Sequence, residues 1–80
     1  MLRLTKHAQE AITKRAIPVI WIEDAVSTPD FVRLDPRHPE RTRSYKAIAQ
    51  CGGRVLRVVH RPDGNDMVVM TAHFDRGAKP

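Results

Sequence analysis

Four side chains in this 80-residue chain can move a proton or balance developing negative charge near neutral pH: His7, Tyr45, Arg57 and His73. A second set, Arg37, Arg41, Arg43 and Lys46, carries fixed positive charge of the kind that holds phosphate. The residues that other chemistries need are not grouped. His7, His38, His60 and His73 lack the close spacing of zinc ligands, and Cys51 is the only cysteine. Gly52-Gly53 opens a strand instead of a helix, so it is no phosphate loop. No Ser/His/Asp or Cys/His pairing is legible, and neither metal nor cofactor is expected. What remains is chemistry that RNA carries within itself, since a 2′-hydroxyl can attack the adjacent phosphate. The protein must then align the nucleotide, offset charge on phosphorus and move a proton. Arg43, Lys46 and Arg57 would supply charge, while His7, His73 or Tyr45 would move protons or stack on a base. Blander assignments stand beside these. His7 then closes a helix end, Tyr45 is a core aromatic with its hydroxyl at the rim, and His60 is a core histidine.

Charge is distributed unevenly. The formal net charge is +5, and ten of the fourteen basic residues are arginine. Between Arg33 and Arg61 eight basic residues face only Asp35 and Glu40, while the flanking thirds are close to balanced. A cluster of this kind favours a polyanionic partner such as RNA or the ribosome, unless it is simply a solvated loop. The lone cysteine fits a reducing cytoplasm. The first twelve residues hold no long apolar run, so neither a signal peptide nor a membrane span is expected.

The elements that must position these residues form one α+β domain over residues 1–80. Thr5 can cap a helix over Lys6–Arg15, with Leu4, Ala8, Ala11, Ile12 and Arg15 along one face. Pro18 suits the first turn of a second helix, in which Val19, Ile22 and Val26 form a stripe. Strands follow at Phe31–Leu34, Arg43–Gln50, Arg54–Arg61 and Asp66–Asp75, with a two-proline loop over 35–42. Pro62-Asp63-Gly64 fits a three-residue hairpin loop, a type I turn followed by a left-handed glycine. That loop pairs Val58 with Val68 and Leu56 with Met70. Leu56, Val58 and His60 then share a face with Val68, Met70, Ala72 and Phe74. The other face carries Val55, Arg57, Val59 and Arg61 with Met67, Val69, Thr71 and His73. The expected architecture is two N-terminal helices packed on one face of a roughly four-stranded antiparallel meander, with the Arg57/His73 face uncovered.

Leu4-Thr5-Lys6-His7-Ala8 with Arg15 and Ile17 resembles the opening of a family of small bacterial proteins described only as an uncharacterised domain. Arg54-Val55-Leu56-Arg57-Val58-Val59 and Val68-Val69-Met70-Thr71-Ala72-His73-Phe74-Asp75 resemble its last two strands. The layout of helices and meander is similar to the BrnT and RelE-type toxins of toxin–antitoxin systems, which cut RNA and are neutralised by a small antitoxin. The resemblance implies a RelE-like fold, a metal-free ribonuclease acting on mRNA, an acidic antitoxin partner, and function on the sheet face away from the helices. A non-catalytic module that binds RNA or protein through the same surface is the alternative. Either way, if the central charge cluster contacts RNA, affinity should fall steeply with salt. Replacing Arg37 and Arg41 together should lower the log–log salt slope by about one to two units, measurable by fluorescence anisotropy with a single-stranded RNA. An affinity that stays flat between low and physiological salt would reduce the cluster to a solvated loop.

Overall fold

Thr5 decides where the first helix begins and what it leans on. In the computed structural model, which describes residues 1–80, the Thr5 hydroxyl accepts the Ala8 N–H at 3.1 Å. This caps helix α1, Lys6–Arg15. The same hydroxyl donates to the Met70 carbonyl at 3.3 Å, and the Thr5 N–H donates to the Val69 carbonyl at 3.1 Å. Immediately before it, Leu2–Leu4 form strand β1. A three-residue strand is too short to display an alternating pattern, and the sequence reading takes Leu4 as the start of a helical stripe.

Helix α2 spans Val19–Ser27 and is entered through Pro18, whose missing N–H costs nothing at that position. The remaining strands are β2 (Phe31–Leu34), β3 (Thr42–Ile48), β4 (Arg54–Asp63) and β5 (Asp66–Phe74). A short 3-10 turn at Ala49–Cys51 ends β3 earlier than the sequence pattern suggests. Strands β2 to β5 form the expected antiparallel meander. The expectation of four antiparallel strands is nevertheless corrected, because β1 adds a fifth strand, parallel to β5, giving the order β1-β5-β4-β3-β2.

The β4–β5 hairpin corrects a second expectation. Its loop has two residues, Gly64 and Asn65, between the paired Asp63 and Asp66. Gly64 has φ +60° and Asn65 does not have positive φ, which matches a type II′ turn with glycine first. A two-residue loop pairs odd with even numbers, so Arg61 faces Val68 and His60 faces Val69. One extra residue, Met70, then sits between Val69 and Thr71 as a β-bulge. Past the bulge the parity is restored: Val59 faces Thr71, Val58 faces Ala72 and Arg57 faces His73. The expected pairs Val58–Val68 and Leu56–Met70 are therefore wrong, since Val58 pairs with Ala72 and Leu56 with Phe74; beyond the bulge only the expected faces survive, and nearer the turn the faces are wrong as well. Val69 and Met67 lie on the helix side, and Val68 on the open side.

Both helices cover one face. Ala8 and Ile12 of α1 and Ile22 and Ala25 of α2 meet Ile48, Leu56, Val58, Val69 and Ala72 in a single core, with Ile17 between the helices. In α2 the buried residues are Ile22 and Ala25, while Val19, the helix's first residue, is 42% exposed. Thr5 joins the cap of α1 to the bulge, so its loss should be felt in both. Thr5→Ala should lower unfolding free energy by about 0.5–2 kcal/mol, with Thr5→Ser recovering most of it. Urea denaturation gives the comparison, and equal losses for both variants would show that the hydroxyl is not the cause.

Candidate open-face site

The register places one residue from each of four strands in a single row on the open face. Phe31 pairs with Tyr45, Tyr45 with Arg57, and Arg57 with His73. The next row is Arg33, Arg43, Val59 and Thr71. Three of the four expected proton-moving or charge-balancing residues thus stand side by side. The bulge protects this alignment, since it lies on the hairpin-tip side of both rows.

At one end of the row, Phe31 and Tyr45 stack with centroids 4.6 Å apart and planes 8° from parallel. The Arg33 guanidinium lies over Phe31 at 5.0 Å and reaches the Lys79 carbonyl at 3.4 Å. The chain after β5 therefore returns across the sheet toward β2, and Tyr45 is only 5% exposed. Its ring behaves as the bland assignment expects, although it lies on the face opposite the core.

At the other end, Arg57 Nη2 is 2.6 Å from His73 Nε2, and Arg57 Nη1 is 3.2 Å from Asp75 Oδ2. A guanidinium can only donate, so His73 Nε2 accepts and the ring proton belongs on Nδ1. Burial pushes the His73 pKa below its usual value, and the positive charges of Arg57, Arg15 and Arg43 push the same way against Asp75. Val59 and Val68 are buried on this face without belonging to the helix-covered core. Their cross-strand partners are Arg43 and Arg61, whose aliphatic stems can shield them while the charges reach water.

The basic residues divide. Asp35 organises the loop after β2: its Oδ1 accepts the Arg37 and His38 N–H groups, and its Oδ2 accepts from Arg43 Nε at 3.3 Å. The Arg37 N–H first, then the His38 N–H and Arg43, hold this carboxyl below the usual carboxylate range against the opposing effect of burial. Arg37 is exposed, whereas Arg41 is half-buried with its Nε unpaired. Lys46 points to the other side of the sheet, where its Nζ donates to the Thr28 carbonyl at 2.8 Å and closes α2. His7 is exposed on α1 beside Glu10, Lys14 and Arg15, with no hydrogen bond to the row.

With this geometry in view, residues 4–74 match the family model described as Domain of unknown function (DUF4258). The chain belongs to that family. No curated protein and no solved structure matches it. In this DUF4258 member no helix is long and apolar enough to cross a membrane.

One pairing escaped the sequence reading. Ser44 Oγ and His60 Nε2 are 2.6 Å apart, at 1% and 5% exposure, and His60 Nδ1 is 3.0 Å from Met67 Sδ. Sixteen residues separate the pair, and it forms diagonally because Thr42 faces His60 while Ser44 faces Val58. A neutral His60 accepts the serine hydroxyl on Nε2 and donates from Nδ1 to sulfur, so the ring is satisfied in the interior. Burial lowers its pKa, as it does for His73. A folded pKa below the unfolded value of about 6.5 means that the unfolded chain binds more protons at mildly acid pH. Stability should therefore be full above about pH 6.5 and fall as pH drops from there through the lowered folded values. In His60→Gln that dependence should flatten between pH 7 and 5, read from denaturation midpoints. An unchanged slope would exclude His60 as its source.

Proposed function

We propose that this protein acts on RNA through its open sheet face, as a metal-independent endoribonuclease with a RelE-like fold and a toxin-like role. The observation that carries this reading is the row Phe31–Tyr45–Arg57–His73 flanked by Arg33 and Arg43. It brings an aromatic stack, fixed positive charge and a neutral imidazole together on the sheet face away from the helices. The layout's resemblance to RelE and BrnT-type toxins supports it. RNA, free or on the ribosome, is the proposed substrate. A small acidic antitoxin covering the same face is the proposed partner, and a reducing cytoplasm the setting.

The chemistry follows from Arg57. An RNA phosphate competes with His73 for the guanidinium, which turns to the anion and releases Nε2. The 2′-hydroxyl then gives its proton to His73 Nε2 while O2′ bonds to phosphorus. The P–O5′ bond breaks, O5′ takes a proton from water, and the resulting hydroxide takes the proton from the His73 imidazolium, which restores the neutral ring. The products are a 2′,3′-cyclic phosphate and a 5′-hydroxyl. Arg57 and Arg43 offset the charge that accumulates on phosphorus.

A non-catalytic RNA-binding module is the second reading. It is favoured by the engaged Nε2 and by the low exposure of Tyr45, which leave the free face without an available base. His73→Gln separates the two readings, because glutamine retains an acceptor for Arg57 but cannot shuttle a proton. Under the ribonuclease reading this variant should lose about 100-fold or more in cleavage of a labelled RNA while keeping RNA affinity and fold. Wild-type cleavage should also weaken only below about pH 6.5, because the base form of His73 persists down to its lowered pKa. Salt-dependent binding by wild type with no cleavage would leave the binding module in place and sink the enzyme.

A further inference from the structure

The positive charge that the fold leaves uncompensated is not confined to the central segment where the sequence concentrates it: Arg33, Arg37, Arg41 and Arg61 form no ion pair there, and further free charge gathers at one end of the sheet. In the central third, Arg43 is paired with Asp35 and Arg57 with Asp75, while Lys46 closes a helix. Arg3, at the opposite end of the sheet, is held by Asp63 and Asp66. Lys14, Arg15, Arg54 and Arg76 form no ion pair, and cavity linings bring them to the end of the sheet where β5 runs beyond β1.

There Arg15, Arg54, His73 and Phe74 line a cleft of about 500 Å³, within the size range of small-ligand sites. Both guanidiniums are oriented before any ligand arrives. The Arg54 guanidinium lies over the Phe74 ring at 4.3 Å, and Phe74 is braced edge-on by Trp21 at 6.4 Å. Arg15 Nη1 reaches the Ala11 carbonyl at 3.5 Å, close to the negative end of α1. His73 closes the cleft from the open face; with Nε2 engaged by Arg57, its Nδ1–H makes no hydrogen bond within the chain.

We infer that Arg15 and Arg54 form a phosphate-binding cleft at the β5 edge, with the His73 Nδ1–H as a third donor, that holds an RNA backbone phosphate. The inference rests on the RNA reading above and extends it: the strand leaves the open face over His73 and wraps the edge of β5 onto the helix side. Arg15 lies in a third of the sequence where formal charges balance, and it enters the site only because α1 packs along β5. Planar guanidiniums on two walls suit a tetrahedral anion better than mobile lysines would.

The test is fluorescence anisotropy with a 5′-labelled oligouridylate dodecamer across a salt series, with circular dichroism confirming fold. The Arg15→Gln/Arg54→Gln double variant should bind at least tenfold more weakly at low salt, with a salt slope lower by about one to two units. A control pair of equal charge change, Lys6→Gln/Lys79→Gln, should lower the slope by less than half as much. An Arg15→Lys/Arg54→Lys pair, which keeps the charge, should retain the slope while losing affinity through the missing fork. Wild-type-like binding by the glutamine pair overturns the cleft while leaving RNA binding intact. So does a control pair that falls as far, or a lysine pair whose slope falls as far. If wild type shows no salt-dependent binding at all, the RNA reading fails and the cleft fails with it.

Discussion

The open face depends on the extra residue that β5 carries at Met70. A type II′ turn at Gly64-Asn65 fixes one parity near the hairpin tip, and the apolar pattern of Leu56, Val58, Ala72 and Phe74 demands the other. The two can coexist only if one strand gains a residue between them. Thr5 holds that place, since its N–H and hydroxyl bond the two carbonyls on either side of the Val69–Met70 step. The same hydroxyl begins α1. A continuous ladder from this turn would turn His73 toward the helices and leave Arg57 without it. The pairing of Arg57 with His73 is thus a consequence of backbone geometry some distance away.

Acidic residues set where positive charge remains free. Each of Asp35, Asp75 and the Asp63/Asp66 pair takes an arginine from the sheet surface. Exposed pairs of this kind contribute little to stability, but they hold the side chains in defined places. Asp35 is the most enclosed of them and also folds the loop between β2 and β3 through two backbone N–H groups. The loop that looks like a floating basic segment is therefore an anchored turn, although its own Arg37 and Arg41 guanidiniums form no ion pair.

Much of the fold was legible because its signals are local. Thr5, Pro18 and the helical spacing of Ala8, Ala11 and Ile12 place both helices to within a residue or two. The strand at Phe31–Leu34 and the placing of Arg57 and His73 on the face away from the helices also follow from local pattern. Strand β1 was hidden because three residues carry no period, and a parallel pairing 65 positions away leaves no local trace. The loop type was misread because Pro62-Asp63-Gly64-Asn65 satisfies the chemistry of two turns, and only the compensating bulge decides between them. Tyr45, Arg57 and His73 were found by residue type; their union needed the register. Arg15 and Arg54 were missed as a pair because each is ordinary in its own segment. Lys46 proves to stand on the helix side, apart from Arg43 and Arg57, and the mixed patterning of Arg43–Gln50 does not reveal which face a lysine takes.

His60 and His73 sit on neighbouring strands and face opposite ways, and the difference in their surroundings explains why only one is a functional candidate. Both are held neutral by burial. His60 has a partner on each nitrogen, Ser44 and Met67, so any proton transfer would break an interior bond. His73 has one partner, and that partner is itself imperfectly satisfied. Arg57 gives one donor to His73 and one to Asp75, while its buried Nε has none. An unpaired buried donor costs about 1–3 kcal/mol, a penalty the guanidinium can relieve only by moving. An anion arriving on the open face offers new acceptors in exchange for one neutral imidazole. Under the proposed ribonuclease reading, binding negative charge and freeing His73 Nε2 would be one motion of one side chain.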